Sequence, residues 1–359
     1  MLSLLCPCFR SGYQEIVDQE PLLVEVSSKR RIDREPTPFF YGSIATSLEE
    51  PVGVLLEKTH KVERVLFQNR TSEILSVKNS EGESFVLKRA SDRLQDARIL
   101  KESKILQFLN GKTGKDSSYV IKQMDTGFFQ GTRAIVLEIQ ELDLHEYVCK
   151  MSSERDFRFL SLYEIRRIAK QILQGLCFLR NNNVVHGDIK LDNILLKNGA
   201  IKIADFGSAF FEGQDEPTFQ PLNYIAPESI LETKPYTCAL DIWSFSCLFF
   251  EMITLERCFA ASRFASLILQ HEVRLCQSYS EELVARASNL GRTLFRLSRP
   301  LSREGICSIE SGIEENFKKR GEPASCVNLV TKLIKKMFVI DPEKRLAPAD
   351  LLKETFFGV

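Results

Sequence analysis

The chain has 359 residues, of which 44% are apolar and 27% charged, a composition typical of a protein that buries a substantial core. Its 48 basic and 48 acidic residues balance, which excludes the strong positive field of a general nucleic-acid binder. No apolar run reaches the roughly 18 residues of a membrane span, so we expect no transmembrane segment.

The first segment, residues 1–55, mixes charges, prolines and short apolar stretches without a sustained period. We expect a flexible N-terminal extension there. Met1–Phe9 is apolar but lacks a basic start and contains Pro7, which argues against a signal peptide. We expect a tail that merely contains Cys6 and Cys8, and the alternative is a weak lipid anchor at these two cysteines.

The next part of the chain predicts a small sheet with one helix. Ser91–Leu109 has helical spacing of its apolar residues. Residues Ser80 to Glu83 form a turn signal between two of the predicted strands. The strand-like runs are Val62–Phe67, Ile74–Val77, Phe85–Lys88, Tyr119–Ile121 and Thr132–Ile139.

The second half is predicted to be mainly helical. Ser161 and Glu164 form a capping box at the start of an amphipathic helix that leads to His186. Further helices are predicted over residues 239–253, 327–338 and 348–354. The fold class is therefore α+β.

Between these helices, the pair Asn198-Gly199 separates two apolar runs, which is a strong signal for a two-residue hairpin turn. Folding the chain back at this pair brings Asp188 and Asn193, before one strand, towards Asp205, after the other. Phosphoryl transfer requires such a group: one acid for the hydroxyl proton, and an acid with an amide to bind magnesium.

The order of these residues resembles the eukaryotic protein kinases. The segment from His186 to Asn193 is similar to their catalytic loop, and Asp205-Phe206-Gly207 to their metal-binding motif. Three later motifs resemble the same family: Ala226-Pro227-Glu228, Asp241-Ile242-Trp243-Ser244 and Asp341 to Arg345. The resemblance implies a two-lobed kinase domain over 60–357, with a β-rich lobe at about 60–138 and a larger helical lobe at about 144–357.

The kinase resemblance also implies roles for individual residues. Asp188 would be the catalytic base and Lys190 would neutralise charge on the transferred phosphoryl group, while Asn193 and Asp205 would bind Mg²⁺. Lys88 would hold the ATP phosphates and pair with Glu102. Glu228 and Arg345 would form a structural ion pair.

A finer resemblance is to the DYRK, HIPK and CDC-like branch of the CMGC kinases. It is carried by residues 135–147 and 159–196 and by the sequence from Asp205 to Ala209. On that alignment Leu137 is the gatekeeper beside the adenine. Glu138 and Gln140 would offer backbone hydrogen bonds to the adenine, and Asp143 would lie near the ribose.

The segment that covers ATP departs from the family. Gln68, Arg70 and Glu73 stand where three glycines are usual, with Leu75 following them. Gln68 and Leu75 are still expected to line the nucleotide site. Glycines allow backbone N–H groups to approach phosphates closely, so their absence predicts weakened or altered nucleotide binding.

The segments that select the substrate and regulate activity in this family also depart from the family pattern. Gly187 replaces the arginine that usually contacts a phosphorylated activation loop, which favours activity without that control. Pro221 stands where Ser/Thr kinases place Thr or Ser, whereas Lys190 follows the Ser/Thr pattern. Tyrosine control is not carried over, because Thr218 replaces the regulatory tyrosine and Leu222 and Ile225 replace two arginines.

We therefore expect an ATP- and Mg²⁺-dependent protein kinase acting on Ser/Thr of protein substrates, with dual specificity left open. The alternatives are a pseudokinase or scaffold with weakened nucleotide binding, and a kinase of small molecules. We expect a monomer with reduced thiols in the cytoplasm, the nucleus or both.

Overall fold

The computed structural model describes residues 54–153, 160–214, 220–259, 264–276, 281–297 and 309–358. The chain separates into Met1–Val54 and Leu55–Val359, and the described residues belong to the second unit apart from Val54. Cys6, Cys8, Thr218 and nearly all of the predicted N-terminal extension lie outside the described residues. None of the described helices is long and apolar enough to cross a membrane.

Within the described residues, five antiparallel strands form one sheet in the order β1-β2-β3-β5-β4. They are β1 (His60–Gln68), β2 (Ser72–Asn79), β3 (Ser84–Ala90), β4 (Gln123–Phe129) and β5 (Thr132–Glu138). The strand predicted over Tyr119–Ile121 is wrong: a 3-10 helix occupies Lys115–Tyr119, and only an isolated bridge from Val120 to Ile203 follows. Strand β4 was not predicted, because its half-buried residues do not alternate between apolar and polar.

Helix α1 (Asp96–Asn110) packs against this sheet and begins later than predicted. The residues before it, Arg93–Gln95, form a 3-10 turn. Asp92 caps that turn by accepting hydrogen bonds from the N–H groups of Leu94 and Gln95. The short polar side chain of Asp92 thus sets where the helical segment starts.

The two faces of the sheet have separate cores. The face away from α1 carries a small cluster of Leu56, Leu75, Val77, Leu87, Phe129, Ala134 and Val136. The other face contributes Ala90, Ile135 and Leu137 to the large core that continues through α1 into the helical part. Because alternate residues of a strand point to opposite faces, this division decides which strand residues can reach the same ligand as Lys88.

The remaining elements are mainly helical, in agreement with the predicted α+β class. The described helices are α2 (Leu144–Ser153), α3 (Leu162–Asn181), α4 (Pro227–Ile230), α5 (Ala239–Thr254), α6 (Ala265–Cys276), α7 (Glu281–Arg286), α8 (Asn289–Leu297), α9 (Ile309–Arg320), α10 (Ala324–Met337) and α11 (Pro348–Leu351). The predicted capping box of Ser161 and Glu164 starts α3. Every residue of α5 is buried, so this helix is the centre around which the others pack.

Short strands lie between β5 and α4 in the described part of the chain. They are β6 (Leu142–Asp143), β7 (Val184–Val185), β8 (Ile194–Lys197), β9 (Ala200–Ile203) and β10 (Phe210–Phe211). The predicted hairpin is confirmed: Asn198 and Gly199 both have positive φ, at 51° and 77°, and Lys197 pairs with Ala200. Positive φ at both central residues matches the right-handed twist of the two strands, which is why Asn-Gly is favoured there.

Candidate active site

The loop from His186 to Asn193 is held by hydrogen bonds to Asp241, a buried acid of α5. The two carboxylate oxygens of Asp241 accept hydrogen bonds from the backbone N–H of His186, at 2.7 Å, and of Gly187, at 2.9 Å. Burial raises the pKa of Asp241 to about 7, and these two N–H donors oppose the rise. Gly187 has φ +75°, a backbone conformation that residues with a side chain rarely adopt.

His186 connects this loop to the residues around Asp205. Its ring packs edge-on against Phe206 with centroids 4.7 Å apart. Its Nε2 lies 3.0 Å from the carbonyl of Ala204, while its Nδ1 accepts the N–H of Asp188. Burial lowers the pKa of His186 to about 4, so the imidazole is neutral and holds two loops together rather than transferring protons.

The carboxylate of Asp188 has one occupied oxygen and one unoccupied oxygen. Oδ2 accepts hydrogen bonds from Lys190 Nζ and Asn193 Nδ2, both at 2.9 Å. Oδ1 is buried and has no hydrogen-bond partner among the described residues. Burial raises the pKa of Asp188 to about 6, against the opposing effect of Lys190. An orphaned, oriented carboxylate oxygen of raised basicity is suited to accept a proton from a hydroxyl group.

Asn193 and Asp205 form an acid–amide pair suited to a divalent cation. The amide nitrogen of Asn193 is used on Asp188, which leaves its oxygen for a cation. Burial alone would raise the pKa of Asp205, but Lys88 outweighs that effect and holds it below the usual value, so the acid is ionised. Lys88 and Gly207 both contact Oδ1 of Asp205. Carboxylate and amide oxygens are the ligands that Mg²⁺ prefers. Elsewhere too, the described residues contain no cluster of three or more His, Cys, Asp or Glu that could bind a metal ion.

Lys88, on β3, lies between two acids from distant parts of the chain. Its Nζ is 2.8 Å from Glu102 of α1 and 2.7 Å from Asp205. Burial would lower the pKa of Lys88, but the two carboxylates outweigh it and hold that pKa above its usual value. The predicted pairing of Lys88 with Glu102 is therefore present, and the lysine is a fixed cation beside the acid–amide pair.

The predicted adenine contacts lie on the connection from β5 to α2. The backbone N–H of Glu138 already donates to the carbonyl of Lys122, and the Glu138 side chain pairs with Lys202 at 2.8 Å. The N–H of Glu138 is thus already used, and adenine contacts through the carbonyl of Glu138 and the backbone of Gln140 stay predictions. Asp143 is half-buried, which raises its pKa to about 6, and its carboxylate accepts the N–H of Glu146.

The strand residues proposed to cover the nucleotide are not where the sequence placed them. Leu75 pairs with Leu87 and belongs to the outer core cluster, on the opposite face of the sheet from Lys88. Gln68 pairs with Glu73, which bonds to Arg89, so it also lies on the outer side. The structure therefore does not bring Leu75 and Gln68 to the site.

Ile74 and Phe67 lie on the face of the sheet where the sequence predicted Leu75 and Gln68, the face of Lys88. Ile74 pairs with Lys88, and Phe67 pairs with Ile74 while remaining about half exposed, at 51%. Paired residues of antiparallel strands share a face, so both lie on the side of Lys88. The register of β2 against β3 identifies Ile74 and Phe67 as the residues on this face. That register is set by pairing between strands and not by a local pattern in the sequence.

Beyond the hairpin, Gln220 is a residue that sequence reasoning missed. It is buried, donates to Ser244 Oγ at 2.7 Å, and accepts from Ser229 Oγ and the N–H of Ala226. The adjacent Pro221 has no side-chain donor with which to join Asp188 to Lys190, and these two residues contact each other directly at 2.9 Å. Gln220 instead ties this segment to α5.

The predicted structural ion pair is present. Arg345 binds Glu228 through two N–H groups, at 2.7 and 3.0 Å, and both side chains are buried. The guanidinium also donates to the carbonyl of Ala239 and lies over the ring of Trp243. This bidentate pair connects α4 with the segment before α11.

Comparisons with known proteins agree with this geometry. The protein kinase domain family matches residues 63–357. Dual specificity tyrosine-phosphorylation-regulated kinase 3 of Rattus norvegicus is 30% identical over 279 residues, covering 72% of this chain and 46% of that protein. Mitogen-activated protein kinase 5 of Arabidopsis thaliana is 29% identical over 269 residues, covering 74% and 66% respectively.

Comparison with solved structures gives a similar fold. A crystal structure of another kinase domain matches with a TM-score of 0.69 at 21% identity, covering 85% of this chain and 97% of that one. At this identity the likeness concerns the fold alone. The chain spans about half the length of the first curated relatives it matches.

Proposed function

This chain belongs to the protein kinase family, with relatives in the CMGC group as its motifs predict, and on that premise we propose that it transfers the γ-phosphoryl group of ATP to Ser or Thr of protein substrates. The observation that carries the proposal is the state of Asp188. One oxygen is held by Lys190 and Asn193, and the other is buried and free to accept a hydroxyl proton.

The remaining residues have complementary roles in this mechanism. Lys190, hydrogen-bonded to Asp188, places a positive charge beside the oxygen that attacks. Lys88, held by Glu102 and Asp205, would orient the ATP phosphates. Asn193 and Asp205 would hold Mg²⁺, which neutralises phosphate charge when it is bound.

The acceptor is proposed to be Ser or Thr because Lys190 follows that pattern. Pro221 runs against it and keeps dual specificity as an alternative. Gly187 supports activity without the arginine-mediated response to a phosphorylated loop, because no side chain is present to bind the phosphate. The protein substrate itself is left to experiment.

A pseudokinase or scaffold is the second candidate. It is favoured by one feature, the absence of glycines between β1 and β2. Against it stand the intact Lys88, Glu102, Asp188 and Asp205, whose contacts are those of an assembled site.

Phosphorylation of a degenerate peptide library by the purified full chain tests the proposal, with Asp188→Asn as the matched control. Asn keeps the shape of the side chain and removes the base. We expect Mg²⁺-dependent phosphate on Ser or Thr peptides from the wild type, and a loss of at least about a hundredfold in the variant. Equal signals, or none from either protein, would refute it.

The cellular setting is also proposed. None of the seven cysteines in the described part of the chain forms a disulfide, which supports a reducing compartment, cytoplasm or nucleus. We propose a monomer whose N-terminal tail merely contains Cys6 and Cys8, with a weak lipid anchor at these two residues as the alternative, and metabolic acyl labelling decides between them. Absence of label from the wild type would exclude the anchor.

A further inference from the structure

The turn between β1 and β2 is closed by the side chain of Asn69. Its Oδ1 accepts hydrogen bonds from the backbone N–H of Thr71, at 2.9 Å, and of Ser72, at 2.8 Å. It also accepts from the Thr71 hydroxyl at 3.0 Å. The N–H of Asn69 itself donates to the carbonyl of Ser72. Three backbone donors at this turn are therefore already paired within it.

A second set of contacts fixes the same turn to the end of β3. The hydroxyl of Ser91 donates to the carbonyl of Arg70 at 2.6 Å, and the N–H of Ser91 donates to the carbonyl of Thr71 at 3.1 Å. Next to it, Glu73 of β2 pairs with Arg89 of β3 at 2.5 Å. The turn is thus bound both to itself and to its neighbour, so lifting it away from β3 would break several hydrogen bonds.

The turn lies close to the level of the phosphate-binding lysine. Ile74 pairs with Lys88 and Ser72 pairs with Ala90, so the turn begins about 7 Å along the strand from the Lys88 pair. Backbone N–H groups in a turn at this position would ordinarily bind phosphate oxygens. Here those of Thr71 and Ser72 are occupied by Asn69.

We propose that Asn69 is a positioning residue that keeps the β1–β2 turn closed and withholds the N–H groups of Thr71 and Ser72 from the nucleotide phosphates. The proposal rests on the proposed kinase function for the identity of the ligand. It means that the phosphates are bound by Lys88 and the cation-binding pair, and that affinity for ATP is restrained by a side chain rather than only by missing glycines.

The test compares binding of Mg-ATP and of adenosine, which has no phosphates, to the full chain by titration calorimetry. Asn69→Ala removes the acceptor and frees both N–H groups. We expect it to tighten Mg-ATP binding by roughly tenfold, the effect of one hydrogen bond to a charged group, and to leave adenosine binding unchanged. Ser91→Ala, which loosens the turn from β3, should move Mg-ATP binding in the same direction by a smaller factor.

Two further variants separate this effect from general loosening of the sheet. Asn79 caps the β2–β3 turn in the same way, accepting the N–H groups of Glu81 and Glu83, so Asn79→Ala should leave both affinities unchanged. Asn69→Asp keeps the acceptor oxygen and should show no gain in Mg-ATP affinity.

Each outcome of the comparison decides the proposal. Unchanged or weakened Mg-ATP binding by Asn69→Ala, or an equal gain in Asn79→Ala, would overturn it. If Asn69→Ala does not fold, an unchanged Mg-ATP affinity in Ser91→Ala overturns it. Because the readout is binding, a chain that gains Mg-ATP affinity but phosphorylates nothing would refute the proposed function and leave this inference standing.

Discussion

Gly187 offers a direct test of the catalytic-loop geometry through Gly187→Ala. The residue has φ +75°, and a Cβ added there would lie 3.0 Å from the carbonyl oxygen of Ser208. The backbone conformation costs a non-glycine residue about 1–2 kcal/mol, and the close approach to a backbone atom adds about 1 kcal/mol. We therefore expect a loss of about 2–3 kcal/mol in the free energy of unfolding.

Gly213 provides the matched control for that substitution. It has φ +88°, and a Cβ there would meet nothing within 4 Å. Gly213→Ala should therefore cost only the backbone part, about 1–2 kcal/mol. Thermal or urea denaturation of the two variants measures the difference. Phosphorylation should fall in Gly187→Ala because the neighbouring Asp188 shifts, and should persist in Gly213→Ala.

The reasoning is refuted if Gly187→Ala loses no more unfolding free energy than Gly213→Ala. That result would mean that the close approach to Ser208 does not constrain the loop. Retention of full activity by a destabilised Gly187→Ala would contradict the second part, since the position of Asp188 would then be independent of this backbone.

Three further predictions follow from the site. Arg345→Lys should lose about 2–3 kcal/mol of unfolding free energy, because lysine cannot bind both oxygens of the buried Glu228; the same denaturation assay should detect no loss for the exposed control Lys353→Ala. Since burial raises the pKa of Asp188 to about 6 and the base acts deprotonated, kcat/KM should be level above that pH and fall below it, in a profile from pH 5 to 8. Asn193→Ala should raise the Mg²⁺ concentration for half-maximal activity by about tenfold, because one oxygen ligand is lost.

The outcomes that contradict these three are equally specific. If the bidentate pair did not stabilise the fold, Arg345→Lys would have the same free energy of unfolding as the wild type. A profile level down to pH 5 would exclude Asp188 as the titrating base. An unchanged magnesium requirement in Asn193→Ala would remove that residue from the cation site.

Local patterns in the sequence were sufficient for the elements whose information lies in neighbouring residues. The Asn198-Gly199 turn requires positive φ at two successive positions, which few residue pairs tolerate, so the hairpin and the approach of Asp188 to Asp205 could be predicted. The capping box at Ser161 is equally local. The ion pair between Glu228 and Arg345 was predictable only through the kinase resemblance, because no local pattern joins residues so far apart.

Tertiary structure decided what depends on strand register and on the faces of the sheet. A shift of one residue moves a side chain to the opposite face, and so Leu75 lies in the outer core while Ile74 faces Lys88. The sequence by itself determined the chemical groups proposed for phosphoryl transfer and their order along the chain. Only long-range pairing decided that Ser91 binds the turn between β1 and β2, because that hydrogen bond forms once β2 is aligned against β3, whereas the bonds to Asn69 are local to the turn.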